Sequence, residues 1–166
     1  MKTKITVSAV CKATFTFALL ATLFSCKKNI SPEDSAYDLN VILKGDPKVS
    51  PESGGFIEFR QDPDTARIID LNTIVHHLDP NHAYRLQRAT NAVTDPGCSS
   101  TAWLTLGLGP VPQDIVTDSK GDGHVDFWRA VTAIPRGTTF HIHFQIIDAT
   151  TLSPVLTSDC YDYTVR

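Results

Sequence analysis

The chain has 166 residues, of which 20% are charged, and a formal net charge of −3. It carries no basic block of the kind that marks a nucleic-acid face. Its most apolar stretch is too short for a membrane-spanning helix, which needs about 20 residues.

The first element is a leader. Met1-Lys2-Thr3-Lys4, extended by Lys12, is a basic start, and Ala13 to Ser25 is an uncharged, mostly apolar run. A basic region, an apolar region and a small residue before the cut describe an export signal over residues 1–25. The cut falls before Cys26, in Leu23-Phe24-Ser25-Cys26. This resembles the lipobox of bacterial lipoproteins: Leu three residues before the cut, a small residue just before it and Cys after it. Phe24 is bulkier than usual at its position. The Cys-Lys-Lys-Asn that follows resembles lipoproteins of the Bacteroidetes. The resemblance implies that Cys26 carries lipid and becomes the mature N-terminus. It implies a cell-envelope address, at the outer membrane of a Gram-negative bacterium, with the membrane as one partner through the N-terminal lipid. Lys27 and Lys28 stand where they could meet anionic headgroups. Residues 26–35, polar and with Pro32, read as a tether.

Residues 36–166 read as one domain. Once the leader is removed, 12 basic residues face 18 acidic ones, a net charge of −6. Cys98 and Cys160 are the two cysteines left in this body. In an exported protein they most simply form a disulfide, with two free thiols as the alternative.

Alternation dominates the body, and no long stretch repeats apolar residues at helical spacing. Strands are predicted in chain order around Tyr37–Leu43, Gly54–Arg60, Ala66–Leu78, Ala83–Arg88, Ala102–Leu108, Gln113–Thr117, His124–Val131, Thr139–Ile147 and Cys160–Val165. Turn signals separate them, among them Asp79-Pro80-Asn81, Asp95-Pro96-Gly97 and Pro135-Arg136-Gly137. Eight or nine short strands at this spacing predict an all-β fold, an antiparallel two-sheet sandwich.

Leu78-Asp79-Pro80-Asn81-His82-Ala83-Tyr84 is similar to the corner before strand F in fibronectin type III and immunoglobulin-like domains. Ile134 to Phe140 repeats the plan 56 residues later, with Phe for Tyr. Val75 and Val131 stand three residues before each corner. The resemblance implies that both segments turn a corner of an immunoglobulin-like sandwich, and it implies no function.

Phe140-His141-Ile142-His143-Phe144 is the most distinctive stretch. Side chains alternate along a strand, so Phe140, Ile142, Phe144 and Ile146 share the buried face. His141, His143 and Gln145 share the other. A hairpin about Pro135-Arg136 would bring Asp126 and Trp128 beside them. One outer face would then hold Asp126, Trp128, His141, His143 and Gln145. It could serve as a binding surface for a protein or a glycan, or as a zinc or copper site with His141 and His143 as ligands. The histidine pair also resembles that of copper–zinc superoxide dismutase, but no further histidine follows it here.

Asp118 to Asp126 resembles a calcium loop, with Asp118, Asp122 and Asp126 at alternate ligand positions. Lys120 and Arg129 occupy places that such a loop gives to acids, so a Gly-rich turn is the expectation. No serine has a nucleophile-elbow setting, and Gly107-Leu108-Gly109 leads into no helix, so neither an acyl-transfer site nor a dinucleotide loop is expected. The expectation is a non-enzymatic, lipid-anchored binding module without a cofactor. A metal-binding envelope protein and a purely structural one are the alternatives.

Overall fold

The computed structural model describes residues 37–48 and 51–166. The export signal, Cys26 and the tether lie outside the described residues. The described part is all-β and contains no helix. Its strands are β1 (Leu39–Gly45), β2 (Gly54–Gln61), β3 (Ile68–His76), β4 (Ala83–Ala92), β5 (Leu104–Thr105), β6 (Gly107–Leu108), β7 (Val111–Pro112), β8 (Ile115–Val116), β9 (Gly123–Ala130), β10 (Thr139–Asp148), β11 (Pro154–Ser158) and β12 (Tyr161–Thr164).

Period-two alternation places the core. Leu39, Val41 and Leu43 of β1 point inward with Ile57 and Phe59 of β2, Ile69, Leu71 and Val75 of β3, and Tyr84 and Leu86 of β4. Phe127 of β9, Ile142, Phe144 and Ile146 of β10, Leu156 of β11 and Tyr163 of β12 complete it. At its centre Phe59 meets Tyr163 and Phe144 edge-on, at ring separations of 4.8 and 6.2 Å. Edge-to-face contacts of this kind add about 1 kcal/mol each to area burial.

Pairing runs without a break in the order β5-β4-β10-β11-β1-β2-β3-β9-β6-β7, with β12 also on β10 and β8 also on β4. The two ends of that path approach each other through one segment. Residues 104–105 pair with β4, while Leu108 pairs with Trp128 of β9 in parallel. The result is a mixed, nearly closed, barrel-like sheet. This differs from the predicted pair of purely antiparallel sheets. The Trp103–Leu108 stretch is not one strand of a sheet. It is a crossing that breaks into two-residue pieces because it must leave β4 and join β9.

The turn from Leu78 to Tyr84 closes on the tyrosine hydroxyl. The amide of Asp79 donates to the Tyr84 hydroxyl at 3.0 Å, and Asn81 takes a positive φ of 53° in the turn. Tyr84→Phe removes the acceptor and is expected to cost about 1 kcal/mol in a denaturant titration. The strands that flank the two corners also pair with one another, β3 with β9 and β4 with β10. Residues 56 apart face each other in both pairs, Leu71 with Phe127 and Arg88 with Phe144. The spacing read between the corners therefore matches a local two-fold arrangement of the two strand–corner–strand units.

Cys98 and Cys160 form a disulfide, with 5.5 Å between their Cα atoms. It ties the segment after β4 to the bend between β11 and β12.

Candidate functional site

β10 presents His141, His143 and Gln145 on one face, as alternation requires. That face is covered by chain rather than open. His143 Nε2 lies 3.1 Å from the Ser100 carbonyl, and its ring sits 4.6 Å from Trp103. The Ser100 amide donates to the side-chain oxygen of Asn91 on β4. Gln145 is buried and its amide donates to Gln87 at 2.7 Å. The disulfide-tied segment 98–103 thus runs over the middle of β10. His141 is turned to Asp162, with Nδ1 2.6 Å from its carboxylate.

The predicted hairpin that would join β9 to β10 does not form. β9 pairs with β3, placing Asp126 opposite Asn72 and Trp128 opposite Asp70. β10 pairs with β4 on one side and with β11 and β12 on the other. The expected face of Asp126, Trp128, His141, His143 and Gln145 is therefore divided. Pro135-Arg136-Gly137 reverses the chain, but the strands it connects go to different neighbours. Among the described residues, no group of three or more His, Cys, Asp or Glu side chains is placed to hold a metal. The Asp118 carboxylate accepts from the amides of Lys120 and Asp122, at 2.7 and 3.0 Å. Those bonds hold it below its ordinary pKa and close the Gly-rich turn. His82 has a local role as well, since its Nε2 lies 2.8 Å from Asp148 and so links the first corner to the end of β10.

The outer face of β1, β2, β3 and β9 carries apolar side chains that reach water. Register aligns Ile42 with Phe56, Phe56 with Ile74, and Ile74 with His124. This row crosses four adjacent strands, with Ile42 46% and Ile74 44% exposed. A sheet face turned to water normally alternates to polar residues at these positions. The next row is polar: Asn40, Glu58, Asn72 and Asp126, aligned by the same register. The Asn72 amide donates to Asp126 at 2.8 Å, and Arg60 donates to Asn40 and Glu58. Beyond it Trp128, 38% exposed, lies opposite Asp70. Its ring lies so close over Gly109 that a Cβ there would come within 2.6 Å, so only glycine fits. Partial burial raises the Asp70 pKa, and the nearby charges of Asp62, Asp126 and Asp64 raise it further. The face is thus an apolar row beside an acidic margin.

Of the residues expected on the binding surface, this face holds Asp126 and Trp128. Ile42, Phe56 and Ile74 were not among them. The signal for two of them was present in the sequence, since Ile42 and Ile74 interrupt the alternation at outward positions. No protein-family model matches the chain, and no curated protein or solved structure matches it.

Proposed function

We propose that the chain is a lipid-tethered domain of the cell envelope, not an enzyme, that binds a protein partner through the outer face of β1, β2, β3 and β9. The observation that carries this reading is the row Ile42–Phe56–Ile74. Two exposed isoleucines on either side of a half-buried phenylalanine, aligned across adjacent strands, are costly to keep in water and mark an interaction surface. Glu58 is paired with Arg60, and the remaining acids of the margin, Asp70 and Asp126, favour a partner whose complementary surface is apolar with basic residues at its rim. The lipobox at Cys26 supports the address, and the corner at Leu78–Tyr84 supports an immunoglobulin-like kinship of the fold, a common frame for envelope binding modules.

Two measurements test the two halves. Cys26→Ser is expected to move the protein out of the membrane fraction and abolish acyl labelling. An unchanged distribution would refute the anchor. For the face, a photo-crosslinking residue at position 74, in living cells of the source organism, should yield one discrete product. Ile42→Asp should suppress it, while changing stability by less than about 0.5 kcal/mol because the site is exposed. The same crosslinker at Leu152, in the exposed turn after β10, should yield none. Equal products at both positions, or none at 74, would sink the assignment of the face.

A further inference from the structure

β12 sets Asp162 opposite His141 and Tyr163 opposite Phe140. Tyr163 points into the core, so Asp162 and, two residues before it, Cys160 share the outer face with His141 and His143. One step past the paired residues, the same register brings Cys160 opposite His143. Cys98 is bonded to Cys160, with 5.5 Å between their Cα atoms. Two residues after Cys98, the Ser100 carbonyl lies 3.1 Å from His143 Nε2. Two sulfurs and two imidazoles therefore gather on one patch of β10 and β12, with Asp162 at its edge.

While the bridge is closed, the two sulfurs are bonded to each other and His143 Nε2 is engaged by Ser100. That is why no three donors are placed to hold a metal among the described residues. The bridge is open to attack, since Cys160 is exposed and Cys98 half-buried. Thiol–disulfide exchange needs such access. A protein dithiol can pass two electrons and two protons to the bridge sulfurs and leave as a disulfide. Two thiols then stand beside the histidines, and segment 98–103 is free to lift its carbonyl from His143.

We propose that Cys98, Cys160, His141 and His143 form a zinc site when the bridge is reduced. Two thiolates and two imidazoles are the donor set that tetrahedral zinc takes in closed sites. The two thiol protons leave to solvent as the metal binds. Asp162 serves the site from behind. Its carboxylate lies 2.6 Å from His141 Nδ1, which fixes the ring and leaves Nε2 for the metal. The ion then replaces the covalent tie, and segment 98–103 stays fastened to β10 and β12. The chain thus has a disulfide form and a zinc form built on the same residues. These strands are not those of the proposed partner face, and the site does not rest on that reading.

The test uses the full chain in detergent micelles with Cys11→Ser and Cys26→Ser, so that Cys98 and Cys160 supply every thiol. Dithiothreitol is expected to open the bridge while tryptophan fluorescence stays that of the folded chain. With the reductant removed under argon, cobalt(II) should bind one ion per chain. It should show the near-ultraviolet band of thiolate ligation and the visible bands of a tetrahedral ion. The oxidised chain should show neither. Zinc should displace the cobalt and raise the thermal midpoint of the reduced chain alone, since it binds that folded form. Asp162→Asn should weaken zinc by about tenfold, as loss of an orienting carboxylate does. His141→Ala and His143→Ala should each weaken it more, and His124→Ala, on other strands, should leave it unchanged. A bridge that opens only when the chain unfolds, a reduced chain without the cobalt bands, equal binding by the oxidised chain, or an unchanged zinc affinity in His143→Ala would each overturn the site.

Discussion

The Cys98→Ser/Cys160→Ser protein is expected to be about 4 kcal/mol less stable than the parent under oxidising conditions. The bridge joins residues 62 apart in sequence, and a loop of that length removes much entropy from the unfolded chain. The thermal midpoint should fall by roughly 10–15 °C for a domain of this size. The loss should have a local signature as well. The bridge holds the segment whose Ser100 carbonyl and Trp103 ring sit on His143. Released, that segment should open before the rest unfolds, and the Ser100 amide, bonded to Asn91, should exchange with solvent far faster than amides of β2 and β3. Urea titration and hydrogen exchange read the two effects. A double variant as stable as the parent, or one in which Ser100 stays protected, would show that the segment is held by its side-chain contacts and not by the bridge. The experiment also bears on His143. Covered by the tied segment, it is a packing residue of β10. It becomes accessible to an added metal only when that cover is gone.

The strands were legible because one physical rule placed them. Each has one face in a single core, so residues such as Val41, Leu71, Leu86 and Ile142 repeat with period two. Tyr84 was legible as well, because a Pro-containing turn and an aromatic at fixed spacing specify a local hydrogen bond. Partner choice was not legible. Pro135-Arg136-Gly137 announces a reversal, yet β9 and β10 separate there. What decides their neighbours is closure of the whole sheet, in which β3 meets β9 and β4 meets β10. The crossing at residues 104–108 depends on the same closure, and its alternation looks like that of an ordinary strand. The residues that carry the proposed face are exceptions to the pattern. Ile42 and Ile74 are apolar at positions that alternation turns to water. Without a known register, such exceptions look like noise in alternation. With it they align across one sheet, on either side of Phe56.

Gln61 is the buried polar residue on which the C-terminal end of the sheet is fastened. At 1% exposure, its side-chain oxygen accepts from the Tyr163 hydroxyl and from the Arg166 amide, both at 2.7 Å. Its backbone amide donates to the Asp38 carboxylate, and its backbone carbonyl accepts from the Arg166 guanidinium. Gln61→Leu strands two donors at once and should cost about 2–3 kcal/mol, less than the full penalty because it also removes a side-chain amide that has no partner. Tyr163→Phe should cost about 1 kcal/mol. The double variant should cost less than the sum of the two, because each single change leaves the other group unsatisfied. An additive pair would mean that the hydroxyl and the amide oxygen do not depend on one another. The same tyrosine predicts alkaline behaviour. Burial raises the Tyr163 pKa far above its ordinary value, outweighing the opposing charge of Arg67, and burial raises Tyr84 too. Above about pH 10 the unfolded chain then loses phenolic protons that the folded chain keeps, so stability falls as pH rises. The loss from Tyr163 should be on the order of 1 kcal/mol between pH 10 and 11, Tyr84 should add to it in the same direction, and stability below pH 9 should be unaffected by this cause. Tyr163→Phe should reduce that alkaline slope while lowering the plateau at neutral pH. A variant with the parent's slope would place the responsible ionisation elsewhere and leave Tyr163 with a packing role alone.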